Sequence, residues 1–178
     1  MLRKLTIAAA AVLMLTIVES RGAQESASED AKSRPDKQEI IGSMLKAAQM
    51  PAQEQTRKLD SILQNPSGSQ TPRSDFMFCI GLAYSGNDKA QKCVGSAYEG
   101  GRGVVEDLSE AYTWYAIALE NQPAGRPAEQ SAEADKERVK MRLLAAYPHP
   151  SEDDLDDMVN TQKTLIAQYR EDVKRAKR

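Results

Sequence analysis

Catalysis and metal binding need side chains that exchange protons, attack or ligate, and in this chain such side chains are few and scattered. The one histidine, His149, stands between Pro148 and Pro150; it reads as a solvated loop residue, and a triad or metal centre built on two imidazoles is excluded. With only Cys79 and Cys93 beside it, no four-ligand zinc set can be assembled. Ser43-Met44-Leu45-Lys46 fits the S-x-x-K pattern of serine enzymes that open β-lactams, but Ser74-Asp75-Phe76 and Lys163-Thr164-Leu165 miss the companion S-D-N and K-T-G patterns. The match reads as coincidence.

Two charge clusters remain. Glu152, Asp153, Asp154, Asp156 and Asp157 lack the glycine and closing glutamate of a calcium loop and fit the positive end of a helix dipole. Arg170, Lys174, Arg175, Lys177 and Arg178 could touch anionic lipid or polymer, or simply match the negative end of the same helix. Carboxylates are plentiful, yet no pair is set apart in an apolar surrounding, so a hydrolase or glycan- or β-lactam-acting enzyme working through such groups is the weaker alternative. No catalytic residue, metal or cofactor is assigned.

The elements that carry these residues are helices. Ala, Glu, Gln, Lys and Leu dominate and β-branched runs are absent, which predicts an all-α chain. Arg3 and Lys4 precede an uncharged run from Leu5 to Val18, too short to span a bilayer comfortably; residues 1–23 read as a signal peptide, with an uncleaved membrane anchor as the alternative. The chain is therefore expected to be periplasmic or secreted. Its formal net charge of −2 becomes more acidic once Arg3, Lys4 and Arg21 leave with Glu19, which argues against nucleic acid as a partner.

Residues 24–35 are nearly devoid of apolar side chains and read as a flexible lead; residues 36–178 form one helical domain. Ile40, Ile41, Met44, Leu45 and Ala48 recur at helical spacing up to Pro51, and a second helix carrying Leu59, Ile62 and Leu63 is expected to close a first hairpin with it. After the loop at 65–72, a third helix runs from Ser74, its N-cap, to Gly86. Lys89–Glu99 and Leu108–Glu120 follow as a pair, the latter apolar nearly all round. Between them Gly100, Gly101 and Gly103 supply a turn, and Asp107 caps the next helix with Glu110 returning the bond. A sixth helix carries Ala132, Val139, Leu143 and Leu144; a last one, 151–175, shows the stripe Leu155, Met158, Val159, Gln162, Leu165, Ile166, Tyr169 and Val173, capped by Ser151 with Asp154.

The chain also repeats itself. Cys79-Ile80-Gly81-Leu82-Ala83-Tyr84-Ser85-Gly86 returns as Cys93-Val94-Gly95-Ser96-Ala97-Tyr98-Glu99-Gly100, which signals stacked helical hairpins. Folding back at Gly86-Asn87 would bring Cys79 and Cys93 level, as a disulfide in an exported chain requires; two buried free thiols are the alternative. Gly95 weakens its helix, so close approach of a neighbouring helix is expected there, and Gly81 holds the matching place in the helix before.

From Gly86 to Ala118 the chain resembles the Sel-one-like repeat, a tetratricopeptide-type helical hairpin. Ala90, Gly95 and Tyr98 fit its first helix, Gly101, Gly103 and Val104 its G-x-G-V turn, and Asp107, Ala111, Trp114, Tyr115 and Ala118 its second helix. The best repeat spans 86–121 and a degenerate one 74–86. The resemblance implies a short fragment of an α-solenoid that binds other proteins. Nothing after Pro123 restates the glycine turn, so capping helices, 151–175 among them, or a second copy must complete the stack. The resulting expectation is an exported, non-enzymatic adaptor for proteins or peptides of the cell envelope, with a purely structural, self-associating envelope subunit as an alternative. Tyr84, Tyr98, Tyr112, Trp114 and Tyr115 are the candidate binding residues, since interfaces favour such side chains; packing in the core is the competing role for the same residues.

Overall fold

Helical propensity and capping build the chain outward from Arg34. The computed structural model describes residues 33–65, 68–125, 127, 131–146 and 150–178. The expected signal peptide, the lead up to residue 32 and His149 lie outside them. Seven helices occur among the described residues: α1 Lys37–Gln49, α2 Ala52–Gln64, α3 Pro72–Ser85, α4 Asp88–Gly100, α5 Leu108–Asn121, α6 Glu133–Ala146 and α7 Glu152–Ala176. No strand occurs among the described residues, and the all-α expectation holds.

Local chemistry sets most boundaries. Asp36 and Glu39 close a capping box on α1, and Ser151 and Asp154 close one on α7, each pair satisfying two of the backbone donors that a helix start leaves unpaired. The third helix starts earlier than expected. Its cap position is Thr71, with Pro72 at the first helical position, where the ring's fixed φ suits the helix and its missing N–H costs nothing; Ser74 lies inside the helix. Gly86 and Gly101 end α3 and α4 in the left-handed conformation.

α4 and α5 lie antiparallel. The Tyr98 carbonyl accepts from the Asp107 N–H at one end, Gly95 faces Tyr115 in the middle, and Asn121 donates to the Gln91 side chain at the other. The absent side chain of Gly95 is what lets the ring in: a Cβ there would stand 2.9 Å from Tyr115. α3 packs on α4 and α6 on α5. Cys79 and Cys93 join α3 to α4 as a disulfide, with Cα atoms 6.1 Å apart, so the free-thiol alternative is set aside.

The first hairpin differs from expectation. α1 packs on α3 and α7, whereas α2 leans on α4; α1 and α2 meet at their corner, where the Gln55 amide donates to the Ala47 and Met50 carbonyls. The reason is the Gly81 notch, where the backbone of Ser43 comes so near that a Cβ would lie 2.4 Å from its carbonyl oxygen. Ile40, Met44 and Ala47 are buried on α1, while α2 buries Leu59. α7 then lies across α1, α3 and α5, burying Leu155, Val159, Gln162, Ile166 and Val173 of its predicted stripe.

Candidate functional site

The five aromatic candidates are in the core. Tyr84, Tyr98, Tyr112, Trp114 and Tyr115 are between 1% and 6% exposed, which is the packing role weighed for them beside contact. Helical apolar faces carried them inward, where a ring removes the most area from water. Tyr84 stacks on Tyr169 of α7 with centroids 5.3 Å apart and tilts against Trp114 at the same distance. Its hydroxyl, pushed up to about 12 by burial, accepts a bond from Gln162. That bond accounts for a polar residue in the buried stripe of α7. The Tyr115 hydroxyl donates to Glu99 over 2.9 Å, and Tyr98 meets Phe76 edge-on at 5.4 Å. Tyr112 sits closer to the charged residues Lys136, Lys140 and Glu152, its hydroxyl raised chiefly by burial.

The repeat-turn residues all act on the backbone. Gly103 has φ +72°, and a Cβ there would lie 2.3 Å from the Pro72 carbonyl oxygen, so the turn packs directly on the start of α3. Glycine is the one residue that combines that dihedral with that proximity. Gly100 closes α4, Gly101 follows in the left-handed region, and Asp107 caps α5 by accepting from the Glu110 N–H.

Glu110 departs from its expected role. The Asp107 N–H is taken by the Tyr98 carbonyl at 3.0 Å, so the glutamate does not close a capping box. Its carboxylate, 20% exposed, instead pairs with Arg34 at 3.1 Å, and the same guanidinium pairs with Asp107. Burial raises the Glu110 carboxyl above the ordinary glutamate range; the Arg34 charge and the Trp114 indole pull against it, and Asp107 adds to it. Arg34 thus fastens the end of the expected flexible lead to α5. Spacing offers two faint signals: Arg34-Pro35 favours an extended residue before the proline, and the D-x-x-E of Asp107–Glu110 places a second carboxylate one turn from the first.

A second ion cluster joins α4 to α6. Glu99, 14% exposed on its side chain, pairs with Arg138 at 2.8 Å and Arg142 at 3.2 Å, and Arg142 reaches on to Glu106 at 2.9 Å. Burial pushes the Glu99 carboxyl up, but bonds from Arg138 and Tyr115 outweigh it and hold it below the usual range. A small cleft of about 60 Å³ opens between α2, α3 and α4, lined by Ile62, Leu63, Phe76, Cys93, Ala97 and Arg102 among others.

Nothing in these clusters assembles a nucleophile with a base. Ser43 of the S-x-x-K stretch has its backbone wedged against Gly81, and Lys163 pairs with Glu120. Among the described residues no group of three His, Cys, Asp or Glu is placed to hold a metal ion, and no helix is long and apolar enough to cross a membrane. Compared with protein-family models, with curated proteins and with solved structures, the chain matches none.

Proposed function

We propose that this chain is an exported, non-enzymatic adaptor built as a short Sel-one-like stack, which presents a rigid helical surface to proteins or peptides of the cell envelope. The observation that carries this reading is the α4–α5 hairpin, in which the marks of the repeat act as structural parts: Gly95 admits Tyr115, Gly101 and Gly103 make the turn, Asp107 caps, and Ala90, Ala111 and Ala118 are buried at the seam. Residues consumed by packing are unavailable for turnover, and what the scaffold offers is shape. The Cys79–Cys93 bridge supports a compartment outside the reducing cytosol.

With the aromatic candidates enclosed, the surface on offer is polar and charged, as suits a reversible contact. Affinity capture from solubilised envelope with the oxidised chain tests the reading. A partner retained in fixed ratio and displaced by excess untagged chain supports it. Retention of nothing displaceable, or turnover of a β-lactam or glycan by the purified chain, overturns it.

A further inference from the structure

We infer that Asp107, Glu110 and Tyr98 form a receptor for an arginine presented by an extended peptide, and that Arg34 occupies it in cis as a built-in stand-in for the arginine of a partner protein. Three observations converge on it. Two carboxylates face one guanidinium: Arg34 pairs with Asp107 and, at 3.1 Å, with Glu110, the two-acceptor arrangement that a planar fork of donors fits. Capping does not account for Glu110, because the N–H of the cap residue is already bonded to the Tyr98 carbonyl; beside the neutral Trp114 indole, the cation that meets its carboxylate is Arg34. Placing a carboxylate in this half-buried position costs free energy unless a cation meets it.

The third observation is Tyr98. Its ring is 4% exposed and its hydroxyl stands within electrostatic reach of Glu110, Arg34 and Asp107, yet it makes no hydrogen bond with any described residue. The other deeply buried hydroxyls, of Tyr84 and Tyr115, are both bonded. A buried phenol normally finds a partner, so this one is an unused polar group within electrostatic reach of the two carboxylates.

The stand-in is loosely held. Arg34 is 57% exposed on its side chain, precedes α1 in non-helical backbone, and is followed by Pro35, which favours an extended conformation at residue 34. A partner strand offering arginine before proline would reproduce that geometry. A short tether supplies a millimolar effective concentration at most, so a ligand with contacts beyond the arginine can compete. The inference rests on the adaptor reading in taking the natural ligand to be a protein segment. The site itself is tested without any envelope component, so failure of either experiment leaves the other intact.

The test uses the full chain with Arg34→Ala, and a probe peptide, acetyl-Ser-Arg-Pro-Asp-amide, beside the same peptide with neutral citrulline for arginine. Saturable binding of the arginine peptide is expected, at least about tenfold weaker to the unmodified chain because of cis competition, at least about tenfold weaker for citrulline, and lost when Glu110→Gln is added. Absence of binding to Arg34→Ala, equal binding of citrulline, or indifference to Glu110→Gln overturns the proposal. If Arg34→Ala does not fold, the unmodified chain decides: the NMR signal of the Trp114 indole, beside Glu110, must shift with the arginine peptide at about 10 mM, above the tether's effective concentration, and not with citrulline. No shift refutes it.

Discussion

Gly81 and Gly42 sit on the two facing helices α3 and α1, and the same substitution to alanine is expected to act with opposite sign at the two positions. At Gly81 the new Cβ would lie 2.4 Å from the Ser43 carbonyl oxygen and 2.7 Å from its carbon, about 1 Å short of ordinary contact. Both atoms are main chain, so no rotamer change relieves the clash, and α1 must lift its buried Ile40, Met44 and Ala47 off α3. Overpacking costs about 1–3 kcal/mol, and a clash with main chain that cannot rotate away belongs to the upper part of that range, about 2–3 kcal/mol; the better helix propensity of alanine returns about 1 kcal/mol, and a net loss of about 1–2 kcal/mol follows. At Gly42, exposed and with nothing within 4 Å, only the gain of about 1 kcal/mol remains. Denaturant unfolding of the oxidised chain, followed by helical circular dichroism, should order the proteins G42A, wild type, G81A, with each kcal/mol worth about 2–4 °C in thermal midpoint. G95A should fall between wild type and G81A, because what it meets is the Tyr115 ring at 2.9 Å. A G81A protein as stable as wild type would refute the close packing of α1 on α3.

The remaining predictions concern the disulfide, two carboxylates and the tryptophan. Reducing the Cys79–Cys93 bridge, whose partners are 14 positions apart, should cost about 3 kcal/mol of unfolding free energy, and an unchanged midpoint with and without reductant would refute its closure. Glu99 has its carboxyl lowered by Arg138 and Tyr115, so its contribution is present above the ordinary glutamate value and is lost as pH falls through the depressed one. Stability measured against pH should therefore drop less steeply on the acid side in Glu99→Gln than in wild type. Glu110 is raised, so its sign is opposite: stability is lost as pH rises through its elevated value, and Glu110→Gln should remove that limb. Trp114, 1% exposed, should resist acrylamide quenching in the free protein; ready quenching would place it on the surface.

Local chemistry was legible in the sequence wherever a residue's partner lay within a turn or one hairpin. The capping box of α7 is a single turn long, and Cys79 reaches Cys93 across one reversal at Gly86, so spacing alone limits the answer. The close approach at Gly95 followed from the energetic penalty of glycine within a helix. Partners distant in sequence were not legible. Periodicity reveals which face of α1 is apolar but not which helix covers it, and α3, not α2, does. Likewise D-x-x-E describes Asp107–Glu110 and D-x-x-E describes Asp36–Glu39, yet only the second closes a box, because the Tyr98 carbonyl intercepts the Asp107 N–H. The role of the aromatic side chains was open in the sequence for a related reason: Tyr and Trp suit interfaces and cores by the same physics, and burial separates the two.

A short array of hairpins has an exposed apolar flank unless something covers it, and α7 is what covers this one. It is pinned at three helices by different means. The Arg170 guanidinium donates to the Tyr84 carbonyl at 2.6 Å in the last turn of α3, where a helix leaves carbonyls unpaired; Lys37 at the start of α1 pairs with Asp172 at 2.7 Å; and Lys163 pairs with Glu120 near the end of α5 at 2.6 Å. Exposed pairs like the last two add little energy, but they fix the register in which Leu155, Val159, Ile166 and Val173 meet the core. α7 covers α1, α3 and α5, the position that a capping helix would take on the proposed stack. A second chain joining through the same face would have to displace α7 and break the Tyr84–Tyr169 stack with it. On the proposed adaptor reading, contact with another protein falls on what α7 leaves open, and the turn from Gly100 to Asp107, with Arg34 seated at its end, is where that surface and the proposed acidic site coincide.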